Sequence, residues 1–124
     1  ISVCTDTGVY DRRILSELSG SDIIILESNH DVRMLREGSY PQSLKRRIAG
    51  ELGHLSNETA GKALLEVLSE TTSAVMLAHL SEENNFPAIA LKTVQDVLLG
   101  EGIALPHIHV AERYNVSRTL RCDL

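Results

Sequence analysis

Two short stretches, "DIIILES" at residues 22–28 and "SAVMLAHL" at residues 73–80, hold almost wholly apolar runs that meet polar residues at Glu27 and His79. They are too short for core helices and carry no polar face. Such runs suit strands buried on both sides of a parallel sheet. A third strand opens the chain, where "ISVCT" alternates up to Asp6 and Gly8 allows the turn that follows. Between the first two strands, residues 10–18 place Ile14, Leu15 and Leu18 at helical spacing, and Ser19 and Gly20 stop the helix. Strand, helix and strand within the first 28 residues make a βαβ unit, so the fold class is α/β.

The rest of the chain continues that alternation. "NHDVRMLREGSYP" reads as a loop with one helical turn. Leu44 and Ile48 mark a short helix whose other faces carry Lys45, Arg46 and Arg47, a pattern that suits a solvated basic face. Ala60, Leu64, Val67 and Leu68 form the apolar stripe of the next helix. Ser56 or Asn57 caps that helix. After "EENNFP", a helix runs from Pro87 to Gly100 with Ala90, Leu91, Val94, Val97 and Leu98 inward. Ile108 and Val110 alternate on a last strand, and the tail from Val116 is expected to add a short edge strand. No repeat or linker divides the 124 residues, which suffice for one core.

Composition narrows the function classes. No apolar run reaches the ~20 residues of a membrane span, so a soluble cytoplasmic protein is expected. Cys4 and Cys122 fit no zinc or redox spacing and read as free thiols in a reducing compartment. The sequons at Asn57 and Asn115 carry no weight without a secretory route. A net charge of −5 argues against binding polyanions over the whole surface. It leaves room for a local cationic site, such as a metal ion in a histidine-and-carboxylate pocket.

The polar residues fall where such a site would form. Asp6 ends the first strand, Glu27 the second with His30 and Asp31 close behind, and His79 the third with Asn84 and Asn85 after it. Strand carboxyl ends share one edge of a parallel sheet, and ligands bind there. Taken singly, each residue has a plainer use: Asp6 as a turn former, His79 as a satisfied core histidine, His30 as a loop residue. His107 and His109 alternate on the last strand without a nearby third ligand. Together, the histidines and Asp6 suit zinc or manganese, with Glu27 and Asp31 orienting histidines. His54, in "GHLSN" at the mouth of a helix, suits an anionic oxygen such as phosphate. It reaches the same edge only if the loop before its helix crosses over.

The ordered series "TDTG", "LESNHD", "YPQSLKRRIAGELGHLSNETA" and "LAHLSEENN" resembles the C-terminal half of the metallo-β-lactamase-fold hydrolases. The closest branch is the bacterial YycJ/WalJ-like group, itself similar to the tRNA 3′-processing endoribonucleases. The resemblance spans nearly all of residues 1–98. It implies one half of an αββα sandwich with two divalent metals, zinc or manganese, at one edge. Asp6 matches the aspartate that bridges the metals, and His79 the last metal-binding histidine. His54 resembles the histidine that contacts the scissile phosphate and protonates the leaving group, and Glu27 the acid that orients it. His30 and Asp31 belong to the branch's own motif.

The chain holds no HxHxDH motif, and it opens mid-strand. The resemblance therefore implies a single partial domain, residues 1–124, of a larger phosphodiesterase or nuclease acting on nucleic acid. Metal binding and catalysis by this portion alone are expected to be weak. One sheet face would be left bare, which predicts self-association or pairing with the other half. A thioester or lactone hydrolase on the same fold, and a non-catalytic interaction module, are the competing readings.

Overall fold

The structure, a computed structural model, describes residues 1–122. Nine elements follow in order: β1 (Ser2–Cys4), α1 (Arg12–Leu18), β2 (Ile23–Glu27), α2 (Val32–Glu37), α3 (Gln42–Ala49), α4 (Asn57–Val67), β3 (Ala74–Ala78), α5 (Pro87–Gly100) and β4 (His107–Val110). The four strands are all parallel, in the spatial order β1-β2-β3-β4.

That order never reverses direction. Right-handed crossovers that keep stepping the same way must all pass over the same face of the sheet. The core shows this directly. Ile24, Leu26, Val75 and Leu77 point to one face and pack with Leu18 of α1, Ala60, Ala63, Leu64 and Val67 of α4, and Ala90, Val94 and Leu98 of α5. Each large aliphatic side chain buried there contributes about 1.5–3 kcal/mol. A Cβ on Gly61 would lie 2.9 Å from Val97 Cβ, so glycine lets α4 and α5 approach closely. The opposite face carries Val3, Ile25, Met76 and His109 in one register row. One helical layer on one parallel sheet is the layout of half an αββα sandwich.

Two expectations need correction. The segment after β2 holds more than a single turn: α2 spans six residues, because the Asp31 carboxylate accepts from Met34 N at 2.8 Å and caps it. The tail from Val116 forms no strand through residue 122, and residues 123–124 lie outside the described residues. No helix among the described residues is long and apolar enough to cross a membrane.

Candidate metal centre

The carboxyl edge of the sheet is organised by Glu27. The strand pattern places this residue on the last buried position of β2, where its solvent exposure is 0%. A buried carboxylate is costly unless hydrogen-bond donors surround it. Donors do surround it. The Asp6 backbone N–H donates to Oε2, and His54 Nδ1 lies 2.6 Å from Oε1. His79 Nδ1 stands 3.6 Å from Oε2.

His54 reaches Glu27 because the loop before α4 is held tightly. His54 N donates to Ile48 O at 2.9 Å, and Gly53 N to Gly50 O at 2.9 Å. A Cβ on Gly53 would sit 2.1 Å from Ile48 O, and one on Gly8 would sit 1.9 Å from Gly50 O. Only glycine fits at either place, and Gly8 N seals the contact by donating to Glu51 O at 3.1 Å. Ser56 then caps α4, accepting from Thr59 N at 3.1 Å. The loop needs no crossover to bring His54 to this edge. β2 ends there, and α4 starts there and runs back along the sheet, as any helix between parallel strands does.

Asp6 and His79 arrive by another route. Both have left-handed backbone conformations, with φ of 60° and 57°. For residues other than glycine that costs on the order of 1–3 kcal/mol each and persists only where surrounding contacts enforce it. Here Glu27 holds Asp6 N, while Asn29 Nδ2 donates to His79 O at 2.8 Å. The two turns direct both side chains across the edge. His79 Nε2 lies 3.8 Å from Asp6 Oδ1, and His54 Nδ1 lies 4.0 Å from the same oxygen. The two imidazole centroids are 5.2 Å apart.

Asp6, Glu27, His54 and His79 thus each offer one ligand atom within 4.8 Å of the others. Ligand bonds to zinc are about 2.0–2.2 Å long, so one ion can touch two atoms 3.8 Å apart, as Asp6 and His79 are. Both Glu27 oxygens are already engaged, which suits a group that holds the others in place. The donor set of imidazole and carboxylate suits a divalent metal ion.

The other residues singled out from the sequence lie outside this cluster. Asp31 caps α2. His30 is buried, with Nδ1 3.3 Å from Asn29 Oδ1, and its carbonyl accepts from Asn57 N at 2.9 Å. Burial, then the neighbouring His54, lowers its pKa from 6.5 to about 4, so it stays neutral. Asn84 O accepts from Asp31 N at 2.9 Å, and its Nδ2 is buried without a partner among the described residues. Asn85 Nδ2 donates to Ser28 O at 3.0 Å and to Asn57 Oδ1 at 2.9 Å, tying the loop after β3 to α4. Burial, then the Glu27 carboxylate, raises the Cys4 thiol and keeps it neutral. His107 and His109 stack at 6.5 Å without joining any third ligand among the described residues.

Sequence reasoning missed the parts played by Asn57 and Asn29. Asn57 is no cap. It is fully buried, accepts from Ser28 Oγ at 2.6 Å and pairs with the Asn85 amide. That burial closes its sequon to glycosylation in the folded chain. The signal available was slight: polar residues clustered after strand ends, with nothing to show which pairs meet.

Fold and site together define the class: an α/β protein with a histidine–carboxylate centre, able to hold a metal ion, at the carboxyl edge of a parallel sheet. The chain is similar to Exodeoxyribonuclease YycJ of Bacillus anthracis, with 41% identity over 105 residues, 85% of this chain and 40% of that protein. It is similar as well to Exodeoxyribonuclease WalJ of Streptococcus pneumoniae, with 42% identity over 103 residues, 80% of this chain and 38% of that protein. The chain therefore spans about two-fifths of the length of these curated relatives. No family model matches it.

Proposed function

We propose that this chain is the metal-edge portion of a nuclease-type phosphodiester hydrolase of the metallo-β-lactamase superfamily. One observation carries the reading: four residues that the sequence scatters from position 6 to position 79 converge within 4.8 Å on one edge, in a chain whose relatives are named exodeoxyribonucleases. Asp6 and His79 would hold a divalent ion, zinc or manganese. A second ion would need ligands beyond these. A bound ion supplies Lewis acidity toward phosphoryl oxygens and makes water a stronger acid.

The chain's own residues prepare the proton transfer. The Glu27 carboxylate accepts the Nδ1 proton of His54, which fixes the ring and leaves Nε2 to face the substrate. In its doubly protonated form, with Nδ1–H held by Glu27, His54 can give the Nε2 proton to a departing alkoxide and is left as the neutral ring. Glu27 is a positioning residue in this scheme, because its oxygens face Asp6 and His54. The sheet face opposite the helices, where Val3 is 63% exposed at the edge, is where the rest of the hydrolase, or a second copy, would pack. DNA is the substrate to test first, and the cytoplasm is where such an enzyme would meet it.

The test is metal binding by titration calorimetry, paired with hydrolysis of DNA by a protein that contains this chain within the length of its relatives. Binding of zinc or manganese that His79→Ala abolishes, together with DNA cleavage, is the expected result. No metal binding sinks the hydrolase reading and leaves an interaction module. Metal binding with cleavage of a thioester or lactone, and none of DNA, moves the substrate class.

A further inference from the structure

Two clefts flank the centre, and they differ in charge. The one on the His79 side, about 510 Å³, is lined by Glu82 and Glu112 as well as Arg113, and its Tyr114 hydroxyl is tied to Glu82 Oε1 at 2.6 Å. Carboxylates there repel a phosphate backbone. The cleft on the His54 side, about 420 Å³, is built from Tyr40, Leu44, Arg47, Ile48 and Leu52, and opens onto Asp6 and His54. Arg47 forms no salt bridge among the described residues, in a chain of net charge −5. Leu52 is 98% exposed, a leucine that covers little in the chain itself and stands at the lip of the cleft. Tyr40 is half-buried, and its hydroxyl makes no hydrogen bond among the described residues.

Resting on the nuclease reading, we propose that this second cleft holds one nucleotide of a single-stranded substrate, with Tyr40 stacking on its base and Arg47 neutralising the adjoining phosphate. The size falls within the ~300–1,000 Å³ of small-molecule sites. An apolar wall with one aromatic ring and one cation is the chemistry of single-strand binding, where a base face stacks and the backbone is neutralised. A paired base keeps its faces inside the duplex, so the cleft selects an unstacked nucleotide. Continuity with His54 places the nucleotide beside the group proposed to protonate the leaving oxygen.

The test is fluorescence anisotropy of a labelled dodecathymidylate with a protein that contains this chain within the length of its relatives, in EDTA and at several salt concentrations. Tyr40→Ala should weaken binding roughly 5- to 150-fold, as loss of one stacked base does. Tyr40→Phe should stay within about twofold, which separates stacking from loss of the hydroxyl or of folding. Arg47→Ala should weaken binding and lower the salt slope by about 0.7, the share of one single-strand phosphate. Arg13→Ala, on α1, should change neither. If the wild type binds while Tyr40→Ala and Arg47→Ala match it, or if Tyr40→Phe loses as much as Tyr40→Ala, this assignment is wrong and the nuclease reading stands. A wild type that binds no oligonucleotide also overturns this assignment, whereas the nuclease reading is decided separately by metal binding and DNA cleavage.

Discussion

The loop of residues 50–57 and the turn after β3 each deliver a histidine to the same edge, by different means. His54 is held on a loop with almost no freedom: Gly53 and Gly8 pack against backbone, Ser56 caps α4, and a buried carboxylate grips Nδ1. His79 sits on a left-handed residue, with its side chain 45% exposed and both ring nitrogens beyond hydrogen-bond distance of the carboxylates. A histidine already committed at one nitrogen suits proton transfer from the other. A histidine with open nitrogens 3.6–3.8 Å from two carboxylates suits a metal. Identical side chains thus acquire different surroundings from their neighbours.

The sharpest way to break this contrast is to truncate each histidine. In a protein that contains this chain and cleaves DNA, His54→Ala should lower turnover roughly 10²- to 10⁴-fold and leave metal affinity nearly unchanged, by calorimetry. His79→Ala should instead remove metal binding, and turnover with it. If both variants lose metal equally, the two histidines are not distinct.

Next in size is the rigidity of the first loop. Gly53→Ala would put Cβ 2.1 Å from Ile48 O and 2.3 Å from Arg47 O, so the backbone must move. It should destabilise by about 1–3 kcal/mol in urea unfolding. Gly100→Ala, which meets nothing within 4 Å, should be neutral or slightly stabilising. An unshifted midpoint for Gly53→Ala would show that the loop gives way.

Acid should act on the same region through His30, whose folded pKa is about 4 against 6.5 for the free side chain. Between those values the unfolded chain binds a proton that the folded chain does not. The stability contributed by neutral His30 is therefore fully present above pH 6.5 and is lost as pH falls toward 4. The loss is on the order of 3 kcal/mol. Urea midpoints from pH 7 to 4 should show that slope, and His30→Asn should flatten it.

Smaller effects probe the stitching between the regions. Asn57→Ala leaves Ser28 and Asn85 short of partners and should cost about 1–3 kcal/mol. Ser56→Ala removes one cap and should cost about 1 kcal/mol. An Asn57→Ala variant as stable as the wild type would mean that the two loops are not coupled through that amide pair.

Much of this molecule was legible from local pattern. Aliphatic runs such as Ile23–Leu26 need burial on both faces, and helical spacing such as Ala90, Val94 and Leu98 needs a sheet to pack on. Alternating the two leaves few arrangements besides a parallel α/β sheet, and its carboxyl ends collect Asp6, Glu27 and His79 by geometry alone. What the sequence could not decide depends on contacts between distant residues. Asp31 and Glu27 are both acids after or at the end of β2, yet one caps α2 and the other is buried under two histidines. Asn57 reads as a surface residue until Ser28 and Asn85 close around it. The different settings of His54 and His79 rest on a 2.6 Å contact and two left-handed turns. Such distances are set by tertiary packing, because no residue carries in its own identity which partner will lie beside it.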